Sequence, residues 1–304
     1  MSASVLWNVT GASKRIFGQY GVIYKPKFRG CHGEGNSPVL VEKLGAVTTI
    51  GINRPAKRNC VDMETAKKLT EAFESFEADN DSMVGVLYGK GGSFCAGYDL
   101  QELSTINDLK EVRDVISRGP LNGLGPMGPT RRIFKKPVVA GISGYAVAGG
   151  FELAMACDLR VVEETAIMGV FNRRFGVPLV DGGTVRLPSL IGLSRAMDLI
   201  LTGRAISAKE AHEWGLANRI VAVGTALGQA LNLARSIVKF PQQCLLADRA
   251  SAYEAALSPS TSFLQETAAA ISNLELMKEC VEGSTRFSEE GMGKHGKFNL
   301  RRKE

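Results

Sequence analysis

The chain has 304 residues, with 37 Lys and Arg against 31 Asp and Glu for a net charge of +6, and 44% of its residues are apolar. That length and apolar share exclude a mainly disordered chain and supply one large α/β domain with a tail, or two smaller domains. No window approaches the roughly 20 apolar residues that cross a bilayer, which excludes membrane insertion.

The opening segment carries Lys14, Arg15, Lys25, Lys27 and Arg29 and no acid before Glu34. Basic, acid-free and partly apolar, residues 1–37 read as a mitochondrial transit peptide or as a disordered basic tail, and the matrix is the expected location. Without this segment the body is nearly neutral, so composition gives no argument for nucleic acid as a partner. Cysteines at 31, 60, 95, 157, 244 and 280 lack C-x-x-C spacing, and histidines stand only at 32, 212 and 295. Neither a disulfide framework nor a metal site is expected.

Folded structure is expected from Val39. Val39–Glu42 and Val47–Ile52 are β-type runs around Leu44-Gly45, which predicts a hairpin or adjacent strands. Asp62 is placed to cap a helix in which Ala66, Leu69, Ala72, Phe73 and Phe76 share one face. Val84–Tyr88 reads as a buried strand, about 99 to 117 as a polar helical stretch, and Val138–Ile142 as a further strand. The alternation predicts an α/β sheet with crossover helices, in which ligands gather at loops leaving the strand ends. Beyond Asp181 helices are expected over Ser194–Leu201, Ser207–Trp214, Ala226–Val238, Gln243–Ala256 and Phe263–Glu282. Residues 38–240 form the expected α/β core and 241–304 a C-terminal helical region.

Two glycine-rich loops follow strands. In Gly91–Leu100 the spacing of Gly92 and Gly97 suggests a phosphate cradle, but Tyr98-Asp99 stand where a P-loop needs Lys and Ser or Thr. A small-residue turn remains, and Asp99 is placed to cap the next helix. In Gly141–Ala154 the nucleophile-elbow pattern fails at Tyr145. Gly149-Gly150 then opens a helix, whose unpaired N–H groups and positive dipole end suit an anion or a developing oxyanion. Glu152, one turn in among apolar residues, is expected to be desolvated with a raised pKa, as a general acid or base requires; the alternative is a carboxylate that only complements the dipole.

These loops and their surroundings resemble the crotonase (enoyl-CoA hydratase/isomerase) superfamily. Asn53-Arg54-Pro55 through Asn59 is similar to its N-R-P-x-x-x-N segment and Phe94–Leu100 to its F-x-A-G-x-D-L loop. Lys136–Ala140 with Gly149–Ala154 is similar to its K-P-V-I-A...G-G-G-x-E-L-A stretch, and Asp181–Leu187 and Leu201–Asn218 continue in register. The resemblance implies a crotonase-like spiral of β-β-α units with a C-terminal trimerisation region, and a homotrimer or hexamer. It implies an acyl-CoA thioester as substrate with no separate cofactor, its carbonyl held by the backbone N–H groups of Ala96 and Gly149. Glu152 falls on the first catalytic glutamate of the hydratases. Arg54, Lys57, Gly97, Tyr98 and Asp99 fall beside the substrate.

The departure is Asn172, which stands where hydratases carry a second glutamate; as a substrate-binding residue it can hold a water or a substrate oxygen, but it cannot exchange a proton near neutral pH. Asp181 either replaces that carboxylate or caps the helix that follows it. In the alternative, Glu152 alone serves a double-bond isomerase, or the chain is a catalytically weak CoA-binding oligomer. Arg173 and Arg174 are placed to pair with Asp181 or with an acidic substrate. The leading expectation is a hydratase or dehydratase in fatty-acid or related acyl-CoA metabolism.

Overall fold

The computed structural model describes residues 37–106, 108–117, 124–257, 272 and 274–290. The transit-type segment before Ser37, the Lys294 to Lys303 tail and the first part of the helix expected over Phe263–Glu282 lie outside these residues.

The first two strands, β1 (Val39–Leu44) and β2 (Val47–Ile52), pair antiparallel around Gly45, which takes the positive φ that this turn requires. Helix α1 (Met63–Ala78) starts as expected, with the Asp62 carboxylate accepting from the Thr65 N–H at 2.9 Å. It buries Ala66, Leu69, Ala72, Phe73 and Phe76 against the sheet that continues through β3 (Val84–Gly89) and β4 (Val138–Ile142). The polar stretch between these strands forms two short helices, α2 (Leu100–Leu103) and α3 (Leu109–Ile116), because Asp99 and Asp108 each cap a separate start.

After β4 come β5 (Tyr145–Val147), α4 (Gly149–Ala156), β6 (Leu159–Glu163) and β7 (Ile167–Gly169). Then follow α5 (Gly183–Ile191), α6 (Leu193–Thr202), β8 (Ala205–Ser207), α7 (Ala208–Glu213) and β9 (Arg219–Val221). Helices α8 (Ala226–Val238), α9 (Gln242–Leu257) and α10 (Leu274–Glu289) complete the described chain. Beyond Asp181 the chain is mostly helical, as expected, and the sequence reading lacked only the short strands β8 and β9. Both have three residues, too few to show a period of two.

One sheet runs β1-β2-β3-β4-β6-β9, parallel from β2 onward, and a smaller one runs β5-β7-β8. The central strand β4 is apolar and buried on both faces, as a sheet covered on both sides requires. Val47, Val84, Val86, Val139 and Val161 pack under Ala230 and Ala234 of α8. Ile50, Ile52, Leu87, Ala140 and Ile142 face the main core with α1 and α4. Gly141 lets α8 approach β4, since a Cβ there would lie 3.2 Å from the Ala226 carbonyl. Phe73, fully buried, stacks on Phe134 at 4.3 Å between ring centroids and 7° between planes. Phe73→Ala is expected to lower the unfolding free energy by about 4 kcal/mol, read from the urea midpoint at constant slope.

Candidate active site

The site is built where the two sheets meet. β5 and β7 lie side by side with Val147 opposite Gly169, and Ala148 N–H donates to the Gly169 carbonyl at 2.9 Å. Ala148 then takes a φ of 53°, an uncommon conformation for a residue with a Cβ, and the chain turns sharply into α4. The Gly149 N–H at the head of this helix meets no acceptor among the described residues. Gly97 must be glycine: its φ is 97°, and a Cβ would stand 2.9 Å from the Ala148 Cβ and 3.1 Å from the Gly149 nitrogen. The two glycine-rich loops are therefore in contact, which brings the Ala96 and Gly149 amides into one place. The Ala96 N–H donates to the Arg58 carbonyl at 3.1 Å, so it is shared with the protein, whereas the Gly149 N–H is not.

Glu152 is 2% exposed on the same helix turn as Gly149. Its Oε1 accepts from the backbone N–H groups of Asp181 and Gly183, both at 2.9 Å, which pin the carboxylate against the start of α5. Asp181 is not the cap of that helix. Gly182 holds the capping position with a φ of 93°, and the Asp181 Oδ1 instead accepts from the Met127 N–H at 3.0 Å and from the Thr130 hydroxyl. Gly125 leaves the space for it, since a Cβ there would collide with Oδ1. Burial pushes the Asp181 pKa above the ordinary carboxylate value, against the pull of the Arg131 charge and of the Thr130 and Met127 hydrogen bonds.

The cations beside Asp181 are Arg131 and Arg186, which corrects the expected pairing with Arg173 or Arg174. Arg186 donates to the Asp181 carbonyl at 3.2 Å, and Arg131 donates to the Ile116 carbonyl at 2.7 Å and to the Val180 carbonyl. Arg173 is spent on the Ile200 carbonyl, and Arg174 lies 3.5 Å above the Phe171 ring. Nothing in the spacing of Thr130 and Arg131 marks them in the sequence, because they reach Asp181 only through the fold.

Arg54 and Lys57 meet at Asp99. The Asp99 Oδ2 lies 3.0 Å from Arg54 and 2.9 Å from Lys57, and Arg54 is also 2.7 Å from Asp62. Although burial opposes it, these two cations hold the Asp99 carboxyl below its usual value. Asp99 also accepts from the Gln101 N–H at 3.1 Å, so it caps α2 as expected. Arg54 is thereby committed to internal carboxylates, whereas the Lys57 side chain remains 45% exposed at the cavity mouth.

A cavity of about 430 Å³ lies against these groups, with Lys57 and Asp99 among the residues that line it. Ala96, Gly149, Glu152, Asn172 and Asp181 stand on its wall, as does Tyr98. The remainder is largely apolar: Val115 and Ile116 from α3, Phe175 and Val180, and Cys280 and Phe287 from α10. Phe287 meets Phe175 edge to face at 5.5 Å. Sequence reading missed this contribution of the C-terminal helix, which is set by packing between distant segments. Among the described residues no group of His, Cys, Asp and Glu has the form of a metal site, and no helix is long and apolar enough to cross a membrane.

The model of the enoyl-CoA hydratase/isomerase family matches residues 42–297. Enoyl-CoA hydratase EchA19 of Mycobacterium tuberculosis is 35% identical over 211 residues, covering 67% of this chain and 76% of that protein. The mitochondrial enoyl-CoA hydratase domain-containing protein 2 of Homo sapiens is 35% identical over 222 residues, covering 69% and 73%. Among solved structures, a carnitinyl-CoA hydratase from Mycobacterium avium superposes with a TM-score of 0.72 at 30% identity, covering 83% of this chain and 96% of that one. The matched span runs from β1 past α10 and so includes both glycine-rich loops, Glu152 and Asp181. This chain belongs to the enoyl-CoA hydratase/isomerase family.

Proposed function

We propose that the cavity binds an acyl-CoA thioester and that the chain adds water across the double bond of a 2-enoyl-CoA, or removes it from the 3-hydroxy product. The observation that carries this reading is the placement of Glu152, buried on the cavity wall one turn from the free Gly149 N–H and close to a second buried carboxylate, Asp181. The thioester oxygen accepts from Gly149, with Ala96 as second donor once its bond to Arg58 is shared. Such donors stabilise the enolate by about 3 kcal/mol each.

In the hydration direction Glu152 takes a proton from water as the oxygen bonds to the third carbon. The π electrons pass into the enolate, and protonated Asp181 delivers its proton to the second carbon. The proton left on Glu152 returns to Asp181 through solvent, and both groups are restored. The raised pKa of Asp181 favours the protonated form that this role needs. Lys57, exposed at the mouth, faces the phosphates of CoA in this reading. Matrix location and a trimer or hexamer built through the C-terminal helices belong to the same proposal, supported by the basic opening segment and by family membership.

The test is incubation with 2-enoyl, 3-enoyl and 3-hydroxyacyl CoA thioesters in deuterated water, followed by mass spectrometry. Water addition with one deuteron on the second carbon is expected. Double-bond migration without water addition would replace this reading by an isomerase using Glu152 alone, and inertness toward every thioester would leave binding as the function.

A further inference from the structure

We propose that Thr130 is a positioning residue for the hydration chemistry, its hydroxyl fixing the Asp181 carboxyl so that Oδ2 carries the proton given to the substrate. The inference rests on the acyl-CoA reading above and deepens its second proton-transfer step. Thr130 is fully buried in the single 3-10 turn Pro129–Arg131. A threonine hydroxyl in a helical turn commonly bonds back to its own neighbours, yet this one donates to the Asp181 Oδ1, 51 positions away. The Met127 N–H donates to the same oxygen at 3.0 Å. Two donors on one oxygen fix the plane of the carboxyl, which a single hydrogen bond leaves free to turn about its Cβ–Cγ bond.

The loop is shaped for this pairing. Gly125 and Gly128 exchange backbone hydrogen bonds at 2.7 and 2.9 Å, and a Cβ at Gly125 would collide with both the Asp181 Oδ1 and the Thr130 hydroxyl. Arg131, the next residue, donates to the carbonyl of Val180, which directly precedes Asp181. Thr130 to Asp181 and Arg131 to Val180 are therefore adjacent rungs between the same two segments. The chemistry assigns the oxygens. In a neutral carboxyl the carbonyl oxygen is the better acceptor, and an amide N–H only donates, so Oδ1 takes the carbonyl role and the proton resides on Oδ2. Asp181 stands on the cavity wall, and a fixed carboxyl presents that proton in one direction. The titratable and charged groups around Asp181 are Glu152 from α4, Arg131 from the loop, Arg186 from α5 and the Cys95 thiol from the loop after β3. Thr130 carries no charge, so replacing it alters the carboxyl and leaves these charges in place. A hydrogen bond donated to a carboxylate favours its ionised form, so loss of the hydroxyl raises the Asp181 pKa further.

The test measures kcat/KM for hydration of a 2-enoyl-CoA against pH in the full chain, unaltered and with Thr130→Val or Thr130→Ser, and separates kcat from KM at neutral pH. Thr130→Val is expected to lower kcat about tenfold with KM unchanged, and to move the alkaline decline upward by about one pH unit. Thr130→Ser, which keeps the hydroxyl, is expected to restore both. A merely structural role would lower the amount of active protein at every pH and leave the decline where it was. An unmoved decline with Thr130→Val, or a Thr130→Ser chain that behaves like it, would overturn the proposal. Should Thr130→Val fail to fold, Thr130→Ala is judged by the same rate and pH profile. If the unaltered chain hydrates no 2-enoyl-CoA, the acyl-CoA reading itself fails and this proposal with it, an outcome distinct from an active chain whose pH profile ignores Thr130.

Discussion

Glu152→Gln is expected to lower kcat for hydration of a 2-enoyl-CoA by about a thousandfold, equivalent to about 4 kcal/mol of transition-state stabilisation, with little change in KM. Glutamine keeps the volume of the buried side chain. It also keeps one oxygen to accept from the Asp181 and Gly183 N–H groups, so the head of α5 stays in place. What it loses is the capacity to take a proton from water. A fall in kcat at constant KM therefore isolates proton transfer from binding. Steady-state kinetics checks it, and turnover within about tenfold of the unaltered chain would show that the proton passes through another group.

Asp181→Asn is expected to lower the same rate by about a hundredfold or more and to remove the alkaline limb of the pH profile. The sign follows from the direction of the Asp181 shift. Burial raises the pKa, so the carboxyl stays protonated at pH values where an ordinary aspartate is ionised. Only the protonated form gives a proton to the second carbon of the substrate. Hydration is thus supported below the raised pKa and declines as pH rises through it. Asparagine preserves an oxygen for the Met127 N–H and the Thr130 hydroxyl, so the loop around Gly125 has no cause to collapse. A variant that retained the rate and the alkaline decline would assign both to another residue.

The features legible in the sequence are those encoded by neighbours along the chain. The Asp62 cap, the buried face of α1, the runs that became β1 to β4 and the glycines at the head of α4 are local signals, each decided within about a turn or a strand length. Glu152 was legible for the same reason, since it stands three positions after Gly149 on one helix. The three-residue strands β5, β7 and β8 were not, because their stability comes from pairing with one another and not from any repeating pattern.

Asp181 marks the boundary between the two kinds of information. Its position before Gly182 suited a helix cap as well as a second carboxylate, and local sequence offers no means of choosing. The fold rules out the cap by bringing the Met127 N–H and the Thr130 hydroxyl to its side chain and Arg131 beside it, while its own N–H holds Glu152. Likewise, Arg54 was legible as a cation near the loop, but its commitment to Asp62 and Asp99 depends on segments distant in sequence meeting in space. By itself the sequence determined the longer elements, the family and Glu152 as the candidate glutamate, because caps, periodicity and motif spacing are properties of adjacent residues. The raised pKa of Asp181 and the apolar wall from α10 were decided only by tertiary structure, because desolvation and packing are set by what surrounds a group.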